Sequence, residues 1–350
     1  MSETKKDAIR AIVPLTSTPW PTLDPFLFCV HHNDHYPVAN EKMGPDASLA
    51  GRNIGNDFSG KDGWSMYHGD TVPGFPRHPH AGFETVTIAR KGFIDHSDSM
   101  GASARFGQGD VQWMTAGKGV VHSEAFPLLD RENPNTTELF QIWLNLPRED
   151  KKKDAYFTMF WNETIPRHLI KEGDATVGEV AVIAGALHGL DAPTPPPSSW
   201  AARDESNIAI WTIKLQPGAS FTLPAANDET GRVLYFFEGD ALTLEDVVME
   251  PRHGAQVEGD AEVTLQNTGS TLAEVLVLQG RPIGEPVVQH GPFVGNYQGD
   301  IRQIMIDYQN TGFGGWPFDA DAPVHPRDKG RFAIHADGRE ETPANPENAA

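Results

Sequence analysis

The sequence predicts an all-β protein of two tandem β-barrels, with one short helix near the C-terminus and a polar tail after it. Short apolar or alternating segments recur along the 350-residue chain, and Gly, Pro, Asn or Asp separates most of them. Many short strands at such spacing are typical of a sandwich or a barrel. The clearest of these segments are residues 85–89, 110–114, 139–146, 156–161, 180–184, 208–215, 233–237, 263–265 and 275–278.

A repeated order of signals favours two barrels of one ancestral type. In the first half a strand ends at Gly92, and a Gly-Asp turn at Asp110 leads into the next strand. In the second half Gly239 and Asp260 occupy the corresponding positions, at a similar separation. Because one pattern occurs twice, we expect the same architecture twice.

The predicted domain limits follow from this repeat. We place the first barrel at residues 1–165, with an insertion rich in Asn, Asp, Gly and Ser at about 33–70. The second barrel and the helix occupy residues 175–315. The remaining residues, 316–350, are polar and rich in proline, so we expect a surface or disordered tail.

The single predicted helix lies in the segment DIRQIMIDYQNTG. Its apolar residues recur at helical spacing and would form one face. Asp300 and Gln303 have the spacing of a capping box, which places Asp300 at the start of the helix. Gly312 lies where the chain would leave the helix.

Composition and charge exclude several classes of function. The hydrophobic content of 39% and charged content of 22% are those of a soluble globular protein. The net charge of −20 argues against direct binding to nucleic acid or to an anionic membrane. The one sizeable basic run, Lys151-Lys152-Lys153, is interpreted as a solvated turn. A single cysteine, Cys29, excludes an internal disulfide, and no apolar segment has signal-peptide or membrane-spanning length. We therefore expect a cytoplasmic protein.

Two short motifs predict a metal site in the first barrel. They are His78-Pro79-His80 and His122-Ser123-Glu124, separated by a glycine-punctuated β pattern. Residues two apart on a strand point to the same face. If the two segments lie side by side in a barrel, three imidazoles and one carboxylate converge. The second half has no such pair before its strand, so we expect one metal site only.

This donor set suits a divalent transition metal with an open coordination position. Neutral imidazole binds Fe, Mn, Ni, Cu and Zn, and the carboxylate favours Fe(II) or Mn. An open position allows substrate or O₂ to bind. The alternative is that His78, His80, His122 and Glu124 are ordinary polar residues of strands. Glu84 is a second candidate carboxylate, because it lies an even number of residues after His80 and would face inward on a regular strand. If Glu124 is the ligand, Glu84 is either a hydrogen-bond partner of a ligand or a buried polar residue of the strand.

The chain resembles the pirin family of the cupin superfamily. The resemblance rests on HPHAGFETVTIARKGFIDHSDSMG and GQGDVQWMTAGKGVVHSE, and on the later segments LQPGASFTLP, LVLQGRPIGEPVVQHGPFVGN and IRQIMIDYQNTGFG. It implies two tandem cupin (jelly-roll-type) barrels with one iron in the first of them. Matched residue by residue, the metal ligands of the family fall on His78, His80, His122 and Glu124.

The resemblance also implies an activity. Pirins similar to this chain are quercetin 2,3-dioxygenase-like oxidoreductases, which cleave flavonols with O₂ and a divalent metal, so the expected partners are a small flavonol-type aromatic molecule and O₂. Glu124 is then the residue that takes the proton of the substrate hydroxyl. The alternative is a metal-dependent regulatory pirin that binds a protein partner without turnover. A zinc-dependent isomerase or hydrolase is a third option.

One departure from the family concerns the mouth of the first barrel. Pirins usually have a short Asp-His-Phe-Gly-Pro turn after the first strand. Here the chain reads His31-His32-Asn33-Asp34-His35 and continues into the insertion. We therefore expect a mouth of different construction.

Overall fold

The computed structural model describes residues 8–16 and 18–343, and it divides the chain into two compact units. The unit called the metal-site barrel below comprises Val30–Glu163 and Glu285–Ala350. The unit called the second barrel comprises Met1–Cys29 and Thr164–Gly284. Both consist mainly of antiparallel strands, so the predicted all-β fold with tandem barrels and a short C-terminal helix is confirmed.

The strands are numbered in chain order. The first fourteen are β1 (Ile9–Pro14), β2 (Phe26–Tyr36), β3 (Gly74–His80), β4 (Phe83–Lys91), β5 (Phe93–Asp98), β6 (Ser103–Gly107), β7 (Asp110–Thr115), β8 (Val120–Ala125), β9 (Asn135–Asn145), β10 (Tyr156–Phe160), β11 (Arg167–Glu172), β12 (Ala175–Ala184), β13 (Ala186–Leu187) and β14 (Leu190–Asp191). The others are β15 (Ala209–Leu215), β16 (Ser220–Leu223), β17 (Gly231–Glu238), β18 (Leu242–Leu244), β19 (Val247–Met249), β20 (His253–Glu258), β21 (Val263–Asn267), β22 (Ala273–Gly280), β23 (Val288–His290), β24 (Phe293–Gly295), β25 (Phe332–Ile334) and β26 (Glu340–Glu341).

Two sheets form the metal-site barrel. One has five strands in the order β10-β7-β4-β9-β2, and the other has six in the order β26-β25-β6-β5-β8-β3. Its strands are rich in β-branched and aromatic residues, which fit a pleated, buried surface. A buried apolar cluster that includes Ile94, Phe106, Leu139 and Phe157 stabilises one part of this barrel by excluding water.

The second barrel repeats this construction. A seven-stranded sheet has the order β1-β20-β17-β22-β15-β12-β11, and a four-stranded sheet has the order β16-β21-β18-β19. Its core includes Trp211, Ile213, Leu234, Phe236 and Val277, all at most 2% exposed. These residues alternate along their strands, as expected for a face that is packed against a second sheet.

The compact units differ from the predicted domain limits at both ends of the chain. The N-terminal strand β1 pairs with β20 and belongs to the second barrel. The segment after Glu285, including the helix, belongs to the metal-site barrel. Both differences come from pairing between residues far apart in sequence, for which no local pattern exists. Residues 1–7 and 344–350 of the predicted limits lie outside the described residues.

The polar tail supplies a strand to the metal-site barrel. Strand β25 pairs antiparallel with β6, and Ala333 of β25 is fully buried. The expected surface tail is therefore partly a sheet element. The local signal is weak because Phe332–Ile334 is a short apolar segment among polar residues.

The C-terminal helix α1 spans Gln298–Thr311 and begins two residues before its predicted start. Asp300 is therefore not the first residue; its carboxylate accepts hydrogen bonds from the backbone N–H groups of Asn296 and Tyr297, 3.0 and 2.8 Å away. The predicted end is confirmed, since Gly312 adopts a φ of 55°. Within residues 8–16 and 18–343, no helix has both the length and the apolar character needed to cross a membrane.

Lys151 corrects the interpretation of the basic run as a solvated turn. It is 8% exposed, and its ammonium group donates to the carbonyl of Gly82 at 2.8 Å and to the side-chain oxygen of Asn145. A buried ammonium needs such acceptors because it has lost its water. Lys151 therefore fastens the turn after β9 to the junction between β3 and β4.

Candidate metal centre

Strand register brings the two predicted motifs together. Strand β8 pairs with β3 on one side and with β5 on the other, and His78 lies directly opposite His122. His80, two residues along β3, shares the face of His78, and Glu124 shares the face of His122. Thr87 of the five-stranded sheet contacts the carboxylate of Glu124, so this face is the inner face of the barrel.

Three imidazoles converge on this inner face. One ring nitrogen from each of His78, His80 and His122 lies within 4.8 Å of the other two. The ring centroid of His78 is 4.4 Å from that of His122 and 4.8 Å from that of His80. His80 and His122 are buried, whereas His78 is half-buried as a residue.

Burial keeps the three imidazoles neutral. It lowers the pKa of His78 to about 4, and it lowers the pKa values of His80 and His122 well below the usual value of an imidazole. Repulsion among the neighbouring imidazoles lowers the pKa values of His80 and His122 further. Neutral imidazole is the form that binds a metal, because its second nitrogen then carries a free electron pair.

The hydrogen bonding of these rings fits a bound metal. The Nδ1–H of His78 donates to the carbonyl of Pro76 at 2.8 Å, which leaves Nε2 as the nitrogen that can bind an ion. Nδ1 of His80 and both ring nitrogens of His122 are buried without a hydrogen-bond partner. Unpartnered buried nitrogens are costly, and a shared cation would satisfy one nitrogen of each ring.

Glu124 lies beside this cluster, outside the group of ligand atoms within 4.8 Å of one another. Its carboxylate accepts hydrogen bonds from Thr87 Oγ1 at 3.3 Å and from Gln141 Nε2 at 3.2 Å. Burial raises the pKa of Glu124, while the charge of His96 and these two hydrogen bonds lower it. The structure thus brings together the three predicted histidines and places the predicted carboxylate at the edge of the group.

Glu84 does not point into the site, contrary to the alternative drawn from its spacing. Gly82 adopts a φ of 88° between β3 and β4, so the alternation that begins at His80 does not continue. Glu84 is an odd number of residues from Thr87, whose side chain faces inward, and it therefore lies on the opposite face of β4. There its carboxylate is fully buried and accepts a hydrogen bond from Thr115 Oγ1 at 2.6 Å, which agrees with the alternative of a buried polar residue of the strand.

Several polar residues of the inner face were missed in the sequence. Gln141 and Gln112 lie opposite Thr87 on the two neighbouring strands, and Thr85 shares the same face. Both polar atoms of the Gln112 amide and the hydroxyl of Thr85 are buried without a partner. A usable signal was the pair Thr85 and Thr87, two residues apart on β4, which alternation places on one face.

His96 and Asp98 extend this polar face along β5. His96 lies opposite Glu124, and Asp98 lies opposite His122. Nε2 of His96 is 3.0 Å from the carboxylate of Asp98, which also accepts backbone N–H groups of residues 100 and 102. Asp98 therefore fixes the ring orientation of His96 next to Glu124.

Aromatic side chains pack around His80. The ring centroid of Phe83 is 5.1 Å from that of His80, and the centroid of Trp143 is 5.4 Å from it. Phe83 and Trp143 are 4.3 Å apart. The histidine cluster is therefore bordered by apolar rings on one side and by amide and hydroxyl groups on the other.

The fold defines a protein with two cupin barrels. The structure is similar to a crystal structure of quercetin 2,3-dioxygenase from Acinetobacter baumannii, with a TM-score of 0.68 and 26% identity over 88% of this chain and 98% of that chain. A second such structure from the same organism has a TM-score of 0.66 at 17% identity, a likeness of fold alone.

Sequence comparison identifies the family. The Pirin family model matches residues 15–144, and the model of the pirin C-terminal cupin domain matches residues 210–314. The chain is 33% identical to a provisionally named quercetin 2,3-dioxygenase of Pseudomonas aeruginosa, over 69% of this chain and 79% of the relative. It is 33% identical to human Pirin over 70% of this chain and 79% of that protein. The chain belongs to the pirin family.

Proposed function

We propose that this pirin is a metal-dependent dioxygenase that cleaves flavonols such as quercetin with O₂. We also propose that His78, His80, His122 and Glu124 hold one divalent transition metal, Fe(II) in preference to Mn, Ni, Cu or Zn. The supporting observation is the cluster of three neutral imidazoles, two of which have unpartnered buried nitrogens, next to a buried carboxylate. The names of the relatives point to the same reaction.

The donor set supports the choice of metal. Three neutral imidazoles with one carboxylate suit first-row transition metals, and the carboxylate oxygen favours Fe(II) over softer ions. When bound there, the metal would act as a Lewis acid that lowers the pKa of a substrate hydroxyl. For Glu124 to join the ligands its carboxylate would have to turn toward the histidines, away from Thr87 and Gln141.

In this proposal Glu124 is the base that takes the hydroxyl proton of the flavonol. Burial raises the pKa of this carboxyl group, and a base with a raised pKa holds a proton more firmly once it has taken it. To act as the base, Glu124 would leave the metal and return to the position that it has in this structure, where Thr87 and Gln141 donate to its two oxygens and hold the carboxylate on the inner face. His96, oriented by Asp98, lies opposite Glu124 and completes this proton-accepting group.

The inner face suits a flat, hydroxylated substrate. The half-buried ring of Trp143 lies beside His80 and packs on the fully buried Phe83, and such a ring stacks on flat aromatic molecules. Gln112 and Thr85 carry buried polar atoms without partners, which could bond to hydroxyl or keto groups of a bound molecule. An apolar wall with a few polar groups is the usual composition of a small-molecule site.

Replacing the proposed base tests the catalytic part of the proposal. Glu124→Gln retains the size of the side chain but cannot take a proton, so we expect the rate of quercetin loss to fall about 100-fold or more. The assay follows flavonol absorbance in air with Fe(II)-loaded protein. Glu84→Gln is the matched control, because it changes a buried carboxylate of the same barrel that lies on the other face of β4. The rate of quercetin loss by this variant should stay close to that of the unchanged protein.

Turnover that survives Glu124→Gln would contradict the assignment of the base. No turnover of quercetin or of other flavonols by the metal-loaded, unchanged protein would contradict the dioxygenase itself. Metal-dependent capture of a protein partner in that case would favour the regulatory alternative.

A further inference from the structure

The insertion at about 33–70 is an ordered structure fastened by a buried ion pair. The guanidinium of Arg52 lies 3.3 Å from the ring centroid of Trp64 and donates to a carboxylate oxygen of Asp57 at 3.0 Å. It also donates to the carbonyls of Lys61 and Trp64, at 2.6 and 2.8 Å. Breaking a buried pair of this kind is strongly destabilising, so these contacts hold the insertion in one conformation.

The same insertion holds Tyr67 in an uncommon backbone conformation. Its φ is 57°, which is rare for a bulky residue, and two backbone hydrogen bonds of 2.8 Å with Asp57 maintain it. The Tyr67 hydroxyl donates to the carboxylate of Asp34 at 2.7 Å, and Nδ1 of His32 is 2.8 Å from the hydroxyl oxygen. Such strain persists only where the surroundings over-determine it, and here they fix the Tyr67 ring.

Tyr67 is the buried member of a group of aromatic residues that reaches the protein surface. We call this group, Phe58, Tyr67, His68 and Phe75, the rim platform. The ring of Tyr67 stacks on Phe75 at a centroid distance of 5.2 Å. The ring of Phe58 packs edge-on against Tyr67 at 5.4 Å and against His68 at 5.1 Å. Phe58 nevertheless remains 53% exposed. Exposure of a phenyl ring to water is unfavourable, and it is unusual in a segment with a fixed conformation.

The rim platform is continuous with the metal centre. The ring centroid of Phe75 is 6.2 Å from that of His78 and 6.4 Å from that of Phe58. His78 is the one histidine of the cluster that is half-buried, so the platform adjoins the most exposed of the three histidines. A molecule held at the histidines would therefore extend toward Phe75 and Phe58.

We propose that the rim platform is a specificity subsite that takes the aromatic ring attached to the metal-binding ring of a flavonol. This inference rests on the proposed function, because it assumes that the substrate is bound through the histidine cluster. Phe58 and Phe75 supply flat apolar surface for a ring that projects from the site. The Nδ1–H of His68 donates to the carbonyl of Gly55 at 2.8 Å, which leaves Nε2 as an acceptor for a ring hydroxyl.

The test compares the binding of two probes by Fe(II)-loaded protein without O₂. Quercetin carries both a metal-binding ring and a projecting ring, whereas catechol is a single ring that can bind the metal but cannot also reach the platform. We expect Phe58→Ala to raise the Kd for quercetin about fivefold to tenfold and to leave the Kd for catechol unchanged. Phe58→Trp, which retains aromatic surface, should bind quercetin as the unchanged protein does.

Tyr156→Ala is the matched control, because Tyr156 is a 44% exposed aromatic residue of the same barrel that is not part of the platform. It should change neither Kd. Equal quercetin affinity of Phe58→Ala and the unchanged protein would overturn the inference, and so would equal weakening of both probes. Quercetin binding without turnover in air would contradict the proposed function but would leave this comparison valid; absence of quercetin binding by the unchanged protein would overturn both.

Discussion

Arg105→Ala should destabilise the metal-site barrel by about 3–5 kcal/mol, the cost of leaving a buried charge without its partner. Arg105 and Asp95 are both fully buried, and Nε and Nη2 of Arg105 each donate to a different oxygen of the Asp95 carboxylate at 2.7 Å. Without the guanidinium this carboxylate stays inside the barrel without a counter-charge, and of the bonds described here it keeps the one from the backbone N–H of His325, at 2.7 Å.

The same guanidinium holds the C-terminal segment. It donates to the carbonyls of His325, Pro326 and Lys329 at 2.8–2.9 Å, so all five of its N–H donors are used. These bonds lie directly before β25, which pairs with the strand that carries Arg105. We therefore expect Arg105→Ala to release β25 as well as to weaken the sheet.

Chemical denaturation of the two proteins measures this effect. Arg77→Ala is the matched control, because Arg77 also pairs with the C-terminal segment, at 3.0 Å from Asp321, but both side chains are about half exposed or more. Exposed pairs contribute little, so the control should lose less than about 1 kcal/mol. If Arg105→Ala were as stable as the control, the buried pair of Arg105 and Asp95 would not stabilise the barrel. Arg105→Lys should recover only part of the loss, because an ammonium cannot reproduce the planar five-donor arrangement.

His122→Ala should remove nearly all bound metal and reduce flavonol turnover by at least about 100-fold. His122 lies opposite His78 and within 4.8 Å of both other histidines, so its loss leaves two histidines of one strand and Glu124, which lies outside the cluster. Elemental analysis after loading should show about one metal per chain before the change and almost none after it. The fold should persist, because neither nitrogen of His122 makes a hydrogen bond that the change would break.

His253→Ala is the control for this experiment. His253 lies on β20 in the second barrel, and its ring contacts the carbonyl of Pro251 at 3.2 Å. This variant should keep its metal and its turnover. Full metal content in His122→Ala would show that the ion is bound elsewhere.

The histidine cluster could be predicted because its signal is local. His78 and His80 are two residues apart on one strand, and His122 and Glu124 are two residues apart on another, so alternation alone puts each pair on one face. The remaining step, that β3 and β8 are neighbours, came from the family resemblance. Thr87 and Gln141 were missed because they belong to the other sheet, where the pairing of β4 with β9 decides their position.

Two expectations from the sequence, one about Glu84 and one about the C-terminal tail, differ from the structure for physical reasons. Glu84 was expected to point inward, but a left-handed residue, Gly82, separates it from His80 and resets the alternation. The tail was expected to lie on the surface, but Arg105 binds backbone carbonyls more than 200 residues further along the chain. Every residue has a backbone carbonyl, so a contact with backbone carbonyls leaves no pattern in the sequence of the tail.

The most direct test of the metal centre is an anomalous-scattering map of crystals grown without O₂ in the presence of Fe(II) and quercetin. We expect one strong peak per chain, within bonding distance of ring nitrogens of His78, His80 and His122, with the flavonol bound at that ion. A peak in the second barrel, or no peak between the three imidazoles, would contradict this expectation.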